Sequence, residues 1–162
     1  MGSTPRLTIA CCAPEGSVAA RQTARILCEQ WDQPLRHGAA GADPFLAMQA
    51  WNSGILVVPG EPAEPLAPGV RWLDALAAAR RPTLLAIPVG PHAAGQGAAY
   101  AALLLQAGVP LAGLVLMGPG ATAPRFADRL PWLGAVNSSC LDAEALDQLR
   151  ELLLVRLAAL RH

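Results

Sequence analysis

The chain has 162 residues, of which 53% are hydrophobic and 15% are charged, and its formal net charge is zero. All twelve basic residues are arginine, which excludes a phosphate-loop lysine, a Schiff-base lysine and a lysine general base. Both signs of charge are scattered, so the sequence lacks the basic face that a nucleic-acid-binding protein presents to phosphates. No apolar run reaches the ~20 residues that a membrane-spanning helix requires.

The first elements in chain order are a short apolar strand and a helix. Residues 7–12 (LTIACC) predict the strand, and the helix begins at Val18 with Ser17 as its N-cap. Residues 32–44 are rich in glycine, proline and aspartate and predict a loop. Residues 45–52 predict either a short helix or an irregular lead into the next strand.

The middle of the chain contains the clearest strand. Residues 54–59 (GILVVP) are continuously apolar, which is typical of a strand buried on both faces. A proline-rich loop is predicted over residues 60–69 and a helix of alanine and leucine over residues 70–80. A third strand is predicted over residues 83–89.

The last elements continue the succession of helix and strand. An apolar helix is predicted over residues 96–106, with Gly108 as its C-cap glycine. Strands are predicted over residues 111–117 and 131–136. A final helix is predicted over residues 142–161, and its first residue is an aspartate, a common N-cap.

Apolar strands that alternate with helices are typical of a parallel sheet covered by helices on both faces. The sequence therefore predicts a single α/β domain over residues 1–162, with a three-layer, Rossmann-like fold. The high hydrophobic content favours either such a doubly covered sheet or a self-association face. The compositional bias of a GC-rich genome explains that content equally well.

The four cysteines do not have the spacing of a metal or redox site. Cys11 and Cys12 are adjacent, and Cys28 and Cys140 do not complete a zinc-site pattern with them. Three of the four lie in or beside predicted buried elements. We therefore expect a structural role, in which cysteine behaves as a small apolar residue.

The segment over residues 81–118 reads RPTLLAIPVGPHAAGQGAAYAALLLQAGVPLAGLVLMG, a succession of proline-led strand, turn, helix and strand. It resembles the dethiobiotin synthetase group of P-loop ATPases, which is related to MinD-like and cobyrinate-amidase proteins. SGILVVP at residues 53–59 and PWLGAV at residues 131–136 resemble two further strands of that family. The resemblance covers about two thirds of the chain and implies a P-loop NTPase (dethiobiotin synthetase-like) topology.

The first turn departs from the family pattern, which is a G-x-x-x-x-G-K-S/T loop that holds phosphates. Residues 13–21 read APEGSVAAR, with alanine where the lysine would be and Glu15 as an added negative charge. Gly16 and Ser17 are the candidate phosphate-binding residues of this degenerate loop. Arg21 is a candidate substitute cation, although its planar guanidinium is not equivalent to a compact ammonium.

Two further nucleotide-binding features of the family are missing, and one histidine is a candidate ligand contact. Residues 49–54 (QAWNSG) have no carboxylate where the family has an acidic segment that helps to hold magnesium. Met117 stands where the family has an asparagine that reads adenine. His92 follows the third predicted strand, at the sheet edge where open α/β folds bind ligands.

The resemblance and these losses together imply a degenerate, non-catalytic dethiobiotin synthetase-like protein that acts as a binding or assembly module. We expect no catalytic residue, no cofactor and no bound metal. Because members of the family are homodimers, the resemblance also implies a homodimer, and an assembly role implies a protein partner. Residues 1–6 lack the layout of a secretory signal, so we expect a cytoplasmic protein.

Two alternatives remain open. One is an active ATP-dependent ligase of the dethiobiotin synthetase type, in biotin biosynthesis, that binds ATP and magnesium through a remodelled loop around Gly16 with Arg21 in support. The other is a small-molecule-binding α/β protein of a different family that uses the loops at residues 13–17, 60–69 and 90–95.

Overall fold

Six strands and five helices follow one another in residues 7–14, 18–66 and 69–161, which the computed structural model describes. The strands are β1 (Thr8–Cys12), β2 (Leu35–His37), β3 (Gly54–Val57), β4 (Thr83–Pro88), β5 (Leu111–Gly118) and β6 (Trp132–Asn137). The helices are α1 (Val18–Trp31), α2 (Pro44–Ala50), α3 (Trp72–Ala78), α4 (Ala93–Gln106) and α5 (Ala143–Ala159). Within this part of the chain, no helix is both long and apolar enough to cross a bilayer.

All six strands belong to one parallel sheet with the order β2-β3-β1-β4-β5-β6. After β1 the chain moves toward the β2 end of the sheet, whereas after β4 it moves toward the β6 end. Because strand crossovers are right-handed, α1 and α4 lie on opposite faces of the sheet. The neighbouring strands β1 and β4 therefore flank a switch point, where open α/β sheets form a crevice beyond the carboxyl ends of their strands.

Helices cover both faces of the sheet, so the predicted parallel α/β architecture is confirmed. Ile9 and Cys11 of β1 point into the core beneath α1 and α5. Ala10 and Cys12 point into the opposite core, beneath α2, α3 and α4. The eight residues of β5 are all buried, as expected for a parallel strand enclosed between two helical layers.

One predicted loop is partly wrong, because it contains a strand that has no apolar run. The loop predicted over residues 32–44 includes β2, in which Leu35 pairs with Ile55 and His37 pairs with Val57. Strand β2 lies at the end of the sheet and is hydrogen-bonded only to β3. Its residues are half-buried or exposed, so the hydrophobic pattern that reveals the inner strands is absent.

The ends of the helices agree well with the predicted caps. The Asp142 side chain accepts hydrogen bonds from the backbone nitrogens of Glu144 (3.0 Å) and Ala145 (3.4 Å), as an N-cap does. Gly108, with φ of +83°, ends α4 in the left-handed conformation that glycine adopts without strain. Helix α4 itself begins at Ala93, three residues before its predicted start at Gln96.

Candidate functional site

A cavity of about 320 Å³ opens at the switch point, between the carboxyl ends of β1, β4 and β5. Pro14 follows β1 and forms one wall, and Val18, Ala19 and Gln22 from the first turns of α1 form another. The remaining walls are residues 88–89 at the end of β4 and residues 117–119 at the end of β5. We call this space the switch-point cavity.

Gly118 allows the end of β5 to approach β4 closely enough to form the cavity wall. Its φ is +147°, in a region that side chains disfavour, and an ideal Cβ there would lie 2.5 Å from Cγ2 of Val89. Met117, 2% exposed, packs beneath this wall in the core on the α1 side. Met117 therefore contributes apolar surface at the end of β5.

The described residues that line the switch-point cavity include no ionisable side chain. Among them, Gln22 has the one polar side chain, and its amide can form hydrogen bonds. Such walls suit a small, mostly uncharged molecule that is oriented by one amide. In the described part of the chain, no group of three or more histidine, cysteine, aspartate or glutamate residues is placed to hold a metal ion.

Of the residues that the sequence marks as a nucleotide site, the structure describes Arg21 and His92, and it places these two apart. Gly16 and Ser17 lie outside the described residues, together with Glu15. Arg21 lines a different groove, at the ends of β2 and β3, and not the switch-point cavity. His92 occupies the N-cap position of α4, on the other face of the sheet, and its side chain makes no capping hydrogen bond.

No family model and no curated protein sequence matches this chain.

A carboxylate that the sequence analysis missed lies near the carboxyl end of β1. The Tyr100 hydroxyl of α4 donates a 2.6 Å hydrogen bond to Oε2 of Glu61, in the loop after β3. Burial, with a smaller contribution from the Glu61 charge, raises the pKa of the Cys12 thiol to about 12. Glu61 follows the buried strand β3 by a few residues, and this position in the sequence predicts a residue near the carboxyl edge of the sheet.

The buried thiols are not nucleophiles. Burial raises the pKa of Cys11 well above its ordinary value, and burial also raises the pKa of Cys28 to about 11. Both thiols, like Cys12, therefore stay protonated near neutral pH, and the thiolate is the reactive form. The predicted burial of three cysteines is confirmed, and Cys140 is exposed.

Proposed function

We propose that this chain is a non-catalytic relative of dethiobiotin synthetase that binds a small, largely uncharged molecule in the switch-point cavity. The observation that carries the proposal is the lining of that cavity, which among the described residues is apolar apart from Gln22. The cavity lies where open α/β folds bind ligands, so the location of a binding site is retained while its charged groups are missing.

The lining argues against a nucleotide triphosphate with its metal. A phosphate placed among Val18, Val89 and Met117 would lose its hydration without gaining a cation in return, and burying an unpaired charge is costly. Residues 15–17 are Glu, Gly and Ser, so their sequence includes no cationic side chain. This supports a binding module over the ATP-dependent ligase.

A P-loop NTPase topology is part of the same proposal. Dinucleotide-binding folds have the strand order 3-2-1-4-5-6, in which the second strand lies beside the first. In this sheet β3 lies between β2 and β1. This difference argues against a dinucleotide-binding ancestor and favours the P-loop family that the sequence resembles.

The nucleotide part of the proposal is tested by thermal denaturation with ATP and magnesium, with ADP, and without metal. We expect no magnesium-dependent change in the midpoint at millimolar nucleotide. A ligand at 100 times its dissociation constant would add about 2.7 kcal/mol to stability, which such a measurement detects easily. A magnesium-dependent rise with ATP would contradict the proposal and favour the ligase.

The binding part is tested with neutral aromatic probes such as benzamide, followed by methyl NMR of the methionines. Met117 lines the cavity, whereas Met48 is buried in the core on the opposite face and serves as an internal control. We expect saturable shifts of the Met117 methyl alone. Ala19→Trp should block them, and Ala99→Trp on the exposed face of α4 should not.

We extend the proposal to a homodimer formed through the β6 end of the sheet. Strand β6 has no neighbour on its outer side in the described chain, and a hollow of about 630 Å³ beside it is lined by Leu141 and Leu152. Leu152, on α5, is 49% exposed. A two-fold axis would pair β6 with β6 of a second copy and cover these side chains.

Sedimentation of the purified protein tests the dimer. We expect Leu152→Glu to shift the protein from dimer to monomer, because the charge would be buried between the copies. Leu46→Glu is the matched control, since Leu46 is 62% exposed on α2, at a different surface. A monomeric wild-type protein would contradict this extension without affecting the cavity proposal.

A further inference from the structure

A second groove, of about 510 Å³, lies on the same edge of the sheet, at the ends of β2 and β3. Its walls include Arg21 from α1, His37 from the end of β2, and residues 59–60 after β3. We call it the Arg21–His37 groove. Among the residues that the structure describes, it shares none of its lining with the switch-point cavity, so the groove is argued independently of the proposed function.

The basic side chains of this groove are not neutralised by the described parts of the protein. In those residues the one ion pair is between Arg71 and Asp74, and the side-chain hydrogen bonds of arginine are those of Arg71, Arg81 and Arg156, so none involves Arg21 or His37. No carboxylate appears among the described lining residues. Glu61, which follows the groove residues, is hydrogen-bonded to Tyr100 on the α4 side.

The backbone beneath His37 is held in place by the sheet. His37 is in register with Val57, and the Gly38 backbone nitrogen donates a 2.9 Å hydrogen bond to the carbonyl of Val57. An ideal Cβ at Gly38 would lie 2.6 Å from Cδ of Pro59 and 3.0 Å from the Trp72 ring. This close approach of the end of β2 to Pro59 and Trp72 fixes the backbone position of His37.

The floor of the groove is apolar. Val57, 2% exposed, and Pro59 contribute to it. A ligand would therefore meet a hydrocarbon surface below and two nitrogen-bearing donors at the wall. The volume lies within the ~300–1,000 Å³ that is usual for small-molecule sites.

We propose that the Arg21–His37 groove binds a small organic anion, with its carboxylate or phosphate between the two side chains. Arg21 offers a planar pair of N–H donors that matches either oxyanion, and His37 donates from one ring nitrogen. The carbon skeleton of the ligand lies over Val57 and Pro59. Arg21, the candidate phosphate ligand of the degenerate loop, thus binds an anion at the ends of β2 and β3, on the same edge of the sheet.

The experiment uses NMR of the His37 ring and the Arg21 Nε–Hε group during titration with methyl phosphate and, separately, with propionate at constant ionic strength. We expect saturable shifts of both groups with at least one probe. A response to methyl phosphate alone identifies a phosphate ester as the ligand class, and a response to propionate alone identifies a carboxylate. The absence of a saturable shift with either probe would overturn the proposal.

Matched variants separate a specific site from general electrostatic attraction. Arg21→Gln should weaken binding by about tenfold, because one charge-assisted hydrogen-bond pair is lost. Arg25→Gln removes the same charge one helical turn away, outside the groove lining, and should leave the affinity unchanged. Equal weakening by both variants would overturn the proposal, and unchanged thermal midpoints would show that both variants fold.

Discussion

The switch-point cavity and the Arg21–His37 groove lie on the same edge of the sheet, yet they have opposite chemistry. Helix α1 contributes to both, with Val18 and Ala19 facing the cavity and Arg21 facing the groove. Arg21 and Gln22 are successive helical residues, about 100° apart around the helix axis, and they line the groove and the cavity respectively. The one helix thus presents apolar surface at the switch point and a cation at the ends of β2 and β3.

The difference shows that two places on one edge of a sheet can have the same kind of opening and opposite chemistry. The cavity at the switch point follows from the strand order, because crossovers on either side leave a gap there whatever the sequence is. The charge of a site depends on single side chains at the strand ends and on the first turns of a helix. In this chain the cavity lies at the ends of β1 and β4, whereas the basic side chains lie in the groove beside β2.

The largest expected effect is at the cavity wall, through Gly118→Ala. The new methyl group would meet Val89 at 2.5 Å, and its backbone would remain at φ +147°. Strain and overpacking together should lower the free energy of unfolding by about 4 kcal/mol. Urea denaturation measures the loss.

Gly120→Ala separates the two causes of that loss. Gly120 also has positive φ, +70°, but a Cβ there would have no atom within 4 Å. We expect this control to cost about 1 kcal/mol from the backbone alone. Equal losses at Gly118 and Gly120 would mean that the close approach to Val89 does not form the wall.

The second prediction concerns Cys12, a fully buried thiol at the end of β1. Folding raises the pKa of Cys12 from 9.0 to about 12, chiefly by burial. Because its pKa is raised, the Cys12 thiol stays protonated in the folded state at pH values where the unfolded chain has lost that proton. The free energy of unfolding therefore keeps its full value below pH 9 and falls as the pH rises toward 12. For one thiol the loss between pH 9 and pH 11 is about 2 kcal/mol.

Urea denaturation of the wild type and Cys12→Ala at pH 8, 9, 10 and 11 checks this slope. The variant should lose less stability than the wild type over that range, because one titrating thiol is gone. Cys140→Ala removes an exposed thiol and is the matched control. Parallel curves for the wild type and Cys12→Ala would show that water reaches the end of β1.

The inner elements of the fold are predictable from sequence because each leaves a local pattern. Strands β3, β4 and β5 are continuous apolar runs, and the caps at Asp142 and Gly108 agree with the predicted helix ends. Strand β2 leaves no such pattern, because a three-residue strand at the end of a sheet buries little. Its existence depends on pairing with β3, which is not a local property.

The candidate sites depend even more on contacts between distant segments. The sequence identifies Arg21 as a candidate phosphate ligand, but periodicity does not tell which strand ends flank a given helical residue. Arg21 and His37 line one groove because β2 lies two strands away from β1 in the sheet. Glu61 was missed for the same reason, because its partner Tyr100 is 39 residues away.

The smallest predicted effect tests what keeps the charge of the groove positive. The hydrogen bond from Tyr100 holds the Glu61 carboxylate on the α4 side, although Glu61 adjoins Gly60, which lines the groove. Tyr100→Phe should lower the free energy of unfolding by about 1 kcal/mol. Loss of this hydrogen bond should also weaken anion binding by about twofold, because the Glu61 carboxylate is held less firmly on the α4 side and interacts with Arg21 through solvent.

A second substitution distinguishes the charge of Glu61 from the loss of packing around Tyr100. Combining Tyr100→Phe with Glu61→Gln removes the charge while the shape of the side chain stays nearly the same. The double variant should regain wild-type anion affinity in the NMR titration but not the lost stability. If it binds as weakly as Tyr100→Phe alone, the tyrosine affects the groove through packing, and the two regions are mechanically coupled across β1 and β3.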